Sequence, residues 1–90
     1  MVFVDKIADY GSRGKWCHMV SDTSTEELLA FARQIGLKPE WIQKRGTLHE
    51  HFDLYPTKRE LALKFGAEEV SYQGLLAAMR RRQVEESPTV

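Results

Sequence analysis

Ninety residues leave room for one domain near the small end of the usual range, with a thin core. Apolar residues at 42% and charged residues at 29% exclude a disordered tail, and no apolar run reaches the ~20 residues that cross a bilayer. Thirteen basic against thirteen acidic residues remove the usual electrostatic case for nucleic-acid binding, and the single cysteine, Cys17, excludes an internal disulfide and a four-cysteine zinc site.

Val2 to Ile7 is β-rich and alternates, with Val2 and Val4 on one face and Phe3, Asp5 and Ile7 on the other. Ala8 to Lys15, with two glycines and polar residues, reads as a loop. Trp16 to Val20 resumes as a strand, Trp16, His18 and Val20 facing one way and Cys17 and Met19 the other. Ser24 with Glu27 makes a capping box, and Leu28, Phe31, Ala32 and Ile35 recur at helical spacing until Gly36 stops the helix. Glu40 to Lys44 is expected as a short strand, with a turn near Gly46 and a further strand from His49 to Tyr55 that Pro56 ends. Thr57 with Glu60 is a second capping box, opening a helix through Phe65 that Gly66 terminates. Ala67 to Ser71 is a brief strand. Ser71 then caps a last helix carrying Leu75, Leu76 and Met79, which decays into Arg80-Arg81-Arg82.

The expected order is β-β-α-β-β-α-β-α, an α/β or α+β domain over residues 1–84 with a frayed tail at 85–90. A mixed sheet of four to five short strands carries three helices. The lone cysteine leans toward a reducing, cytoplasmic setting, and Met1 to Asp5 has neither the basic n-region nor the cleavage site of a signal peptide. A thin core gains from self-association, so a homo-oligomer is also expected.

The densest local signal is His49-Glu50-His51-Phe52-Asp53-Leu54-Tyr55. If extended, it places His49, His51, Asp53 and Tyr55 on one face and Phe52 and Leu54 in the core. Imidazoles with a carboxylate suit zinc, manganese or iron, or donors and a base around an anion. The bland alternative is the wet face of a half-buried strand. His18 sits between apolar neighbours, and Asp5 on the face of Phe3 and Ile7 needs a partner such as His18 or Arg13, because an unpaired buried carboxylate is costly.

The loop Gly11-Ser12-Arg13-Gly14-Lys15-Trp16 joins two glycines to two cations and a stacking face, a mixture suited to a phosphate or nucleotide, yet it lacks both P-loop and dinucleotide spacing. Lys58 and Arg59 oppose the dipole of the second helix, which invites an anion there. Arg80-Arg81-Arg82 at a helix C-terminus needs no nucleic acid to explain it. Cys17 and His18 point to opposite strand faces, against a Cys/His nucleophile.

The chain resembles a bacterial and phage family known only as a domain of unknown function (four-zero-three-one). The matching features are Asp5 in the opening strand, Trp16-Cys17-His18-Met19-Val20-Ser21-Asp22, Leu28 to Phe31 and Ile35-Gly36-Leu37. They continue through Trp41-Ile42-Gln43, His51-Phe52-Asp53-Leu54, Arg59, Ala62 and Gly66-Ala67, over roughly residues 2–75. The resemblance carries no activity; its recurring polar positions fall on Asp5, Trp16, His18, Asp22, His51, Asp53 and Arg59, whereas His49 is outside the pattern. It implies a stand-alone, phage-like form, and by analogy of size a protein that sequesters a host nucleotide.

The leading expectation is a module binding a small phosphorylated or nucleotide-like anion without a cofactor. Arg13, Lys15 and Arg59 would neutralise charge, Trp16 would stack, and Asp5, His18, His51 and Asp53 would orient the ligand. The alternative is a metal-dependent phosphoester hydrolase in which Asp5, His18, His51 and Asp53 hold a divalent ion. The third is a protein-interaction module anchored by Trp41, Tyr55 and Tyr72.

Overall fold

A computed structural model describes residues 1–86, with side chains as far as Arg82. Strands β1 (Val2–Val4), β2 (Ala8–Asp9), β3 (Lys15–Ser21), β4 (Phe52–Leu54) and β5 (Glu68–Glu69) form one mixed sheet. Helices α1 (Thr25–Gln34), α2 (Pro56–Lys64) and α3 (Tyr72–Glu86) pack on it, giving a small α+β domain. Strand β3 is the centre: β1 and β2 pair antiparallel with successive parts of it, Phe3 opposite Val20 and Ala8 opposite Trp16. β4 also pairs antiparallel with β3, His18 facing Asp53, and β5 joins β1 in parallel.

Alternation along β3 divides the domain into layers. Cys17 and Met19, with Val2, Val4, Phe52 and Leu54, meet Leu28 and Ala32 of α1, Ile35 at its C-cap and Ala62 of α2. On the opposite face Phe3 and Val20 meet Leu75, Ala78 and Met79 of α3. Each large apolar side chain so buried contributes roughly 1.5–3 kcal/mol. Because α3 starts at Tyr72, whose ring lies 6.3 Å from that of His18, it roofs Val20 and leaves the Trp16–His18 end of the sheet open.

The first strand departs from expectation at Asp5. An antiparallel pair would exchange two backbone hydrogen bonds there; Asp5 N–H does donate to the His18 carbonyl (3.3 Å). The His18 N–H, however, donates to Asp5 Oδ1 (2.6 Å), and the freed Asp5 carbonyl accepts from Arg59 Nε (2.9 Å). The chain resumes pairing as β2, so Ala8 and Asp9 are strand rather than loop, one residue out of register with β1.

Three other elements are shorter or shifted. Pro39 starts a 3₁₀ turn over Pro39–Trp41 in place of the strand expected at Glu40–Lys44, and of that stretch only Gln43 pairs, in an isolated bridge with His51. The strand expected from His49 contracts to Phe52–Leu54 because Glu50 N–H closes a turn onto the Thr47 carbonyl. The strand expected over Ala67–Ser71 contracts to Glu68–Glu69. The order is therefore β-β-β-α-β-α-β-α.

Helix ends follow local chemistry. Ser24 Oγ accepts the Glu27 N–H at 3.0 Å, but the Glu27 carboxylate accepts from the Ser21 hydroxyl, so only half of that capping box forms. No box forms at Thr57: α2 begins at Pro56, whose fixed φ suits the first helical position. Leu37 N–H to Ala32 and Ala67 N–H to Ala62 close Schellman ends on α1 and α2, which require the left-handed φ of Gly36 (+82°) and Gly66 (+109°). Ser71 caps α3 through the Gly74 N–H (3.0 Å).

α3 does not decay at Arg80. Arg81 pairs with Asp22 (2.9 Å) and buried Arg82 with buried Glu50 (2.5 Å), and Glu85 and Glu86 lie within the helix. Residues 87–90 of the expected tail lie outside the described residues. Among the described residues no helix is long and apolar enough to cross a membrane.

Candidate functional site

On the open end of the α3 face, β3 contributes His18 and β4 contributes Asp53 directly opposite it. His51 precedes Asp53 by two residues and shares its face, its ring 5.4 Å from that of His18. One ligand atom from each of His18, His51 and Asp53 lies within 4.8 Å of the others, and all three residues are half-buried.

The proton positions follow from the partners. His18 Nδ1 faces Asp5 Oδ2 at 2.9 Å, and His51 Nδ1 faces the His49 carbonyl at 2.8 Å. A carboxylate and a carbonyl only accept, so both Nδ1 atoms carry hydrogen. In the neutral rings each Nε2 is then a bare lone pair, and that of His51 faces Asp53 Oδ1 at 3.4 Å. Two acceptors at that distance are relieved by a proton on Nε2 or by a cation. Gln43 Nε2 donates to the other Asp53 oxygen (2.5 Å), fixing the carboxylate.

The Asp5 hydrogen bond raises the pKa of His18 above its ordinary value, against the burial that lowers it. Cys17, on the opposite face, is fully buried, and desolvation pushes its thiol up to about 12, which removes it as a nucleophile.

The other expected site residues do not assemble here. Asp5 does not join the ligand atoms; it stands behind His18 and orients it. Arg59 belongs to α2, which packs on the Cys17 face, and it is engaged by the Asp5 carbonyl and by Glu69. Lys58, the other cation at that helix start, donates to the Ile35 carbonyl (2.6 Å), so the pair is occupied without an external anion. Lys15 alternates with Trp16 onto the other face, and Arg13 is exposed on a 3₁₀ turn; neither makes an ion pair among the described residues. Trp16 stacks on Tyr10, with centroids 4.1 Å apart and planes at 19°, rather than offering a bare face.

His49 contributes its carbonyl to the site, not its ring. Two residues at the site, Gln43 and Lys44, were not expected there from sequence, and Tyr72 was expected only as an interaction anchor. Gln43 reaches Asp53 through the bridge to His51; Tyr72 lies beside His18; and Lys44, held at φ +55°, lines a small cavity with His18 and His51. The sequence signal for Gln43 and Lys44 was their place in the Glu40 to Lys44 segment expected to pair, of which Gln43 alone does.

The family model described as protein of unknown function (DUF4031) matches residues 2–82, nine-tenths of the chain. The chain belongs to this family. The matched span takes in every residue of the cluster, from Asp5 behind His18 to Tyr72 in front of it. No curated protein and no solved structure matches this DUF4031 domain.

Proposed function

We propose that this DUF4031 domain is a divalent-metal-dependent phosphoester hydrolase, its ion held by Nε2 of His18, Nε2 of His51 and the Asp53 carboxylate. The observation that carries the reading is the orientation of the two rings: both Nδ1 atoms are tied to acceptors, leaving each Nε2 as the free nitrogen of a trio whose ligand atoms lie within 4.8 Å of one another, that of His51 already facing Asp53. Ligating histidines are characteristically oriented in this way. The ligand atoms of one tetrahedral ion lie about 3.4 Å apart, so loading asks for closure of roughly 1 Å from the present arrangement.

Three protein ligands leave a position for water or substrate, and an ion there lowers the pKa of bound water and offsets phosphate charge. In the reaction the water oxygen bonds to phosphorus, the ester P–O bond breaks, and the proton given up by water ends on the departing alcohol oxygen. His18 and His51 hold their positions through Asp5 and the His49 carbonyl, and Asp53 through Gln43. The anion-binding module expected from sequence keeps its ligand class in this reading. The positive charge comes from the ion instead of from Arg13, Lys15 and Arg59. A protein-interaction surface is the second reading, favoured by the exposure of Trp41, Tyr55 and Tyr72.

Titration of the metal-free protein with Zn²⁺ or Mn²⁺ by calorimetry tests the proposal. One ion per chain is expected, with His51→Ala weakening it by more than the ~10–100-fold that loss of an orienting partner costs. Turnover of a phosphoester panel should disappear on chelation. Absence of binding to both ions overturns the reading.

A further inference from the structure

We infer that the substrate of this centre is a nucleoside monophosphate or its ester, with the phosphate at His18, His51 and Asp53 and the base against Tyr10 and Tyr72; the inference rests on the hydrolase reading. Next to His18 opens a cleft of about 600 Å³ bounded by Asp5, Lys6, Ala8, Tyr10 and Tyr72. That is ample for a small organic molecule and far larger than a phosphate group needs.

The walls specify the rest of the ligand. Tyr10 and Tyr72 are 38% and 58% exposed, and neither belongs to an apolar cluster of the core. Tyr10 is backed by Trp16 in a stacked pair, so its plane is held rather than free to rotate. Tyr72, in the first turn of α3, sits 6.3 Å from the His18 ring. Exposed aromatic planes beside a phosphate-sized polar centre suit a ligand with one planar, π-rich end and one anionic end. Base–aromatic stacking is tolerant of base identity, so the two tyrosines can hold the base without a base-specific set of hydrogen bonds.

Charge limits the number of phosphates. Lys6 is the lysine on the cleft wall, while both Asp5 oxygens are engaged by His18. One divalent ion and one ammonium balance a monophosphate or diester better than a triphosphate.

A second groove, about 550 Å³, opens on Asp53 from the other side between Trp41 and Tyr55. Its lysine and its amide are already engaged. Lys58 is held on the Ile35 carbonyl, Gln43 on Asp53, and Lys38 lies over the Trp41 ring at 5.7 Å.

The test compares AMP with glycerol 1-phosphate, by kcat/KM and by calorimetry, on the Mn²⁺-loaded protein. AMP should be favoured by about tenfold or more. Tyr10→Leu should erase about tenfold of that preference while leaving glycerol 1-phosphate and the Mn²⁺ titration unchanged, with Tyr10→Phe close to the parent, and Tyr72→Ala should lower AMP turnover about tenfold more than that of glycerol 1-phosphate. The unchanged Mn²⁺ titration also certifies that the Tyr10 variants are folded. Equal preference for the two phosphates, or tyrosine variants that lose both alike, overturns the inference while the hydrolase reading stands on its ion. Tyrosine-dependent AMP binding by a protein that takes up neither ion keeps the nucleotide cleft and removes the hydrolase.

Discussion

Replacing Glu50 by Ala is expected to be among the most damaging single changes to this domain. Glu50 is 1% exposed, and its oxygens accept from Arg82 Nη1 (2.5 Å), the Thr25 hydroxyl (2.8 and 2.9 Å) and the Gly46 N–H (2.9 Å). Burial works against the charge, but Gly46, Arg82 and Thr25 outweigh it and hold the Glu50 carboxyl below its ordinary pKa. The substitution breaks the buried pair between Glu50 and Arg82, itself 8% exposed, and removes the acceptor of the Gly46 N–H. Breaking a buried ion pair costs about 3–5 kcal/mol. A domain of this size has only about 5–13 kcal/mol in all, and each kcal/mol moves its melting temperature by about 4–8 °C. Thermal and urea unfolding followed by far-ultraviolet circular dichroism should therefore show a loss of at least about 12 °C. The cost of Arg82→Met should fall well short of adding to that of Glu50→Ala in the double variant. A loss under about 1 kcal/mol, or strict additivity, would refute the reasoning.

Three further outcomes are expected. Asp5→Asn should lower the His18 pKa, followed by NMR titration, because the carboxylate that raises it most goes while the burial stays, opposed then by Asp53. In the parent protein the ionised pair stabilises fully below pH ~6.5 and that contribution is lost as pH rises through the folded value; in Asp5→Asn this pH dependence should flatten. Asp22 is pushed up by burial and held down more strongly by Arg81, the Met1 ammonium and Thr23, at about 2. Its contribution is thus present above pH ~4 and lost as pH falls through about 2, so urea midpoints should drop across that window, and less so in Arg81→Ala. Gly36→Ala should cost about 1–2 kcal/mol in urea unfolding: its φ is +82°, and a Cβ would stand 2.8 Å from Lys58 Nζ, which holds the Ile35 carbonyl.

Patterns with short sequence range were legible. The two-residue alternation of Trp16 to Val20 and of His51 to Tyr55 assigned Cys17, Met19, Phe52 and Leu54 to one face and His18, His51 and Asp53 to the other, as the packing bears out. Glycine stops at Gly36 and Gly66 held because only the local φ decides them. What failed was anything settled by a distant partner. Glu27 reads as a capping-box residue until the Ser21 hydroxyl competes for it. Arg59 reads as a free cation until Glu69 and the Asp5 carbonyl take it, and Arg82 as surface charge until Glu50 is found buried beneath it. Those partners lie 6 to 54 residues away, at separations that neither the helical nor the strand repeat marks.

The departures from local rules are not scattered. The break at Asp5 turns a strand residue into the orienter of His18, and the turn that shortens β4 presents the His49 carbonyl to His51. The left-handed Lys44 and buried Glu50 lie on that same turn, and Arg82 anchors it from α3. A fold selected for stability alone has little use for a buried ion pair under a surface loop, since apolar replacements of such pairs are often neutral or stabilising. A fold that must keep His51 in register with His18 has a direct one. On this argument Arg82→Met combined with Glu50→Leu should recover much of the stability lost in Glu50→Ala yet still bind Zn²⁺ or Mn²⁺ about tenfold or more weakly, because the loop keeps its packing and loses its register. Recovery of both stability and ion affinity would show that the pair serves the fold and not the site.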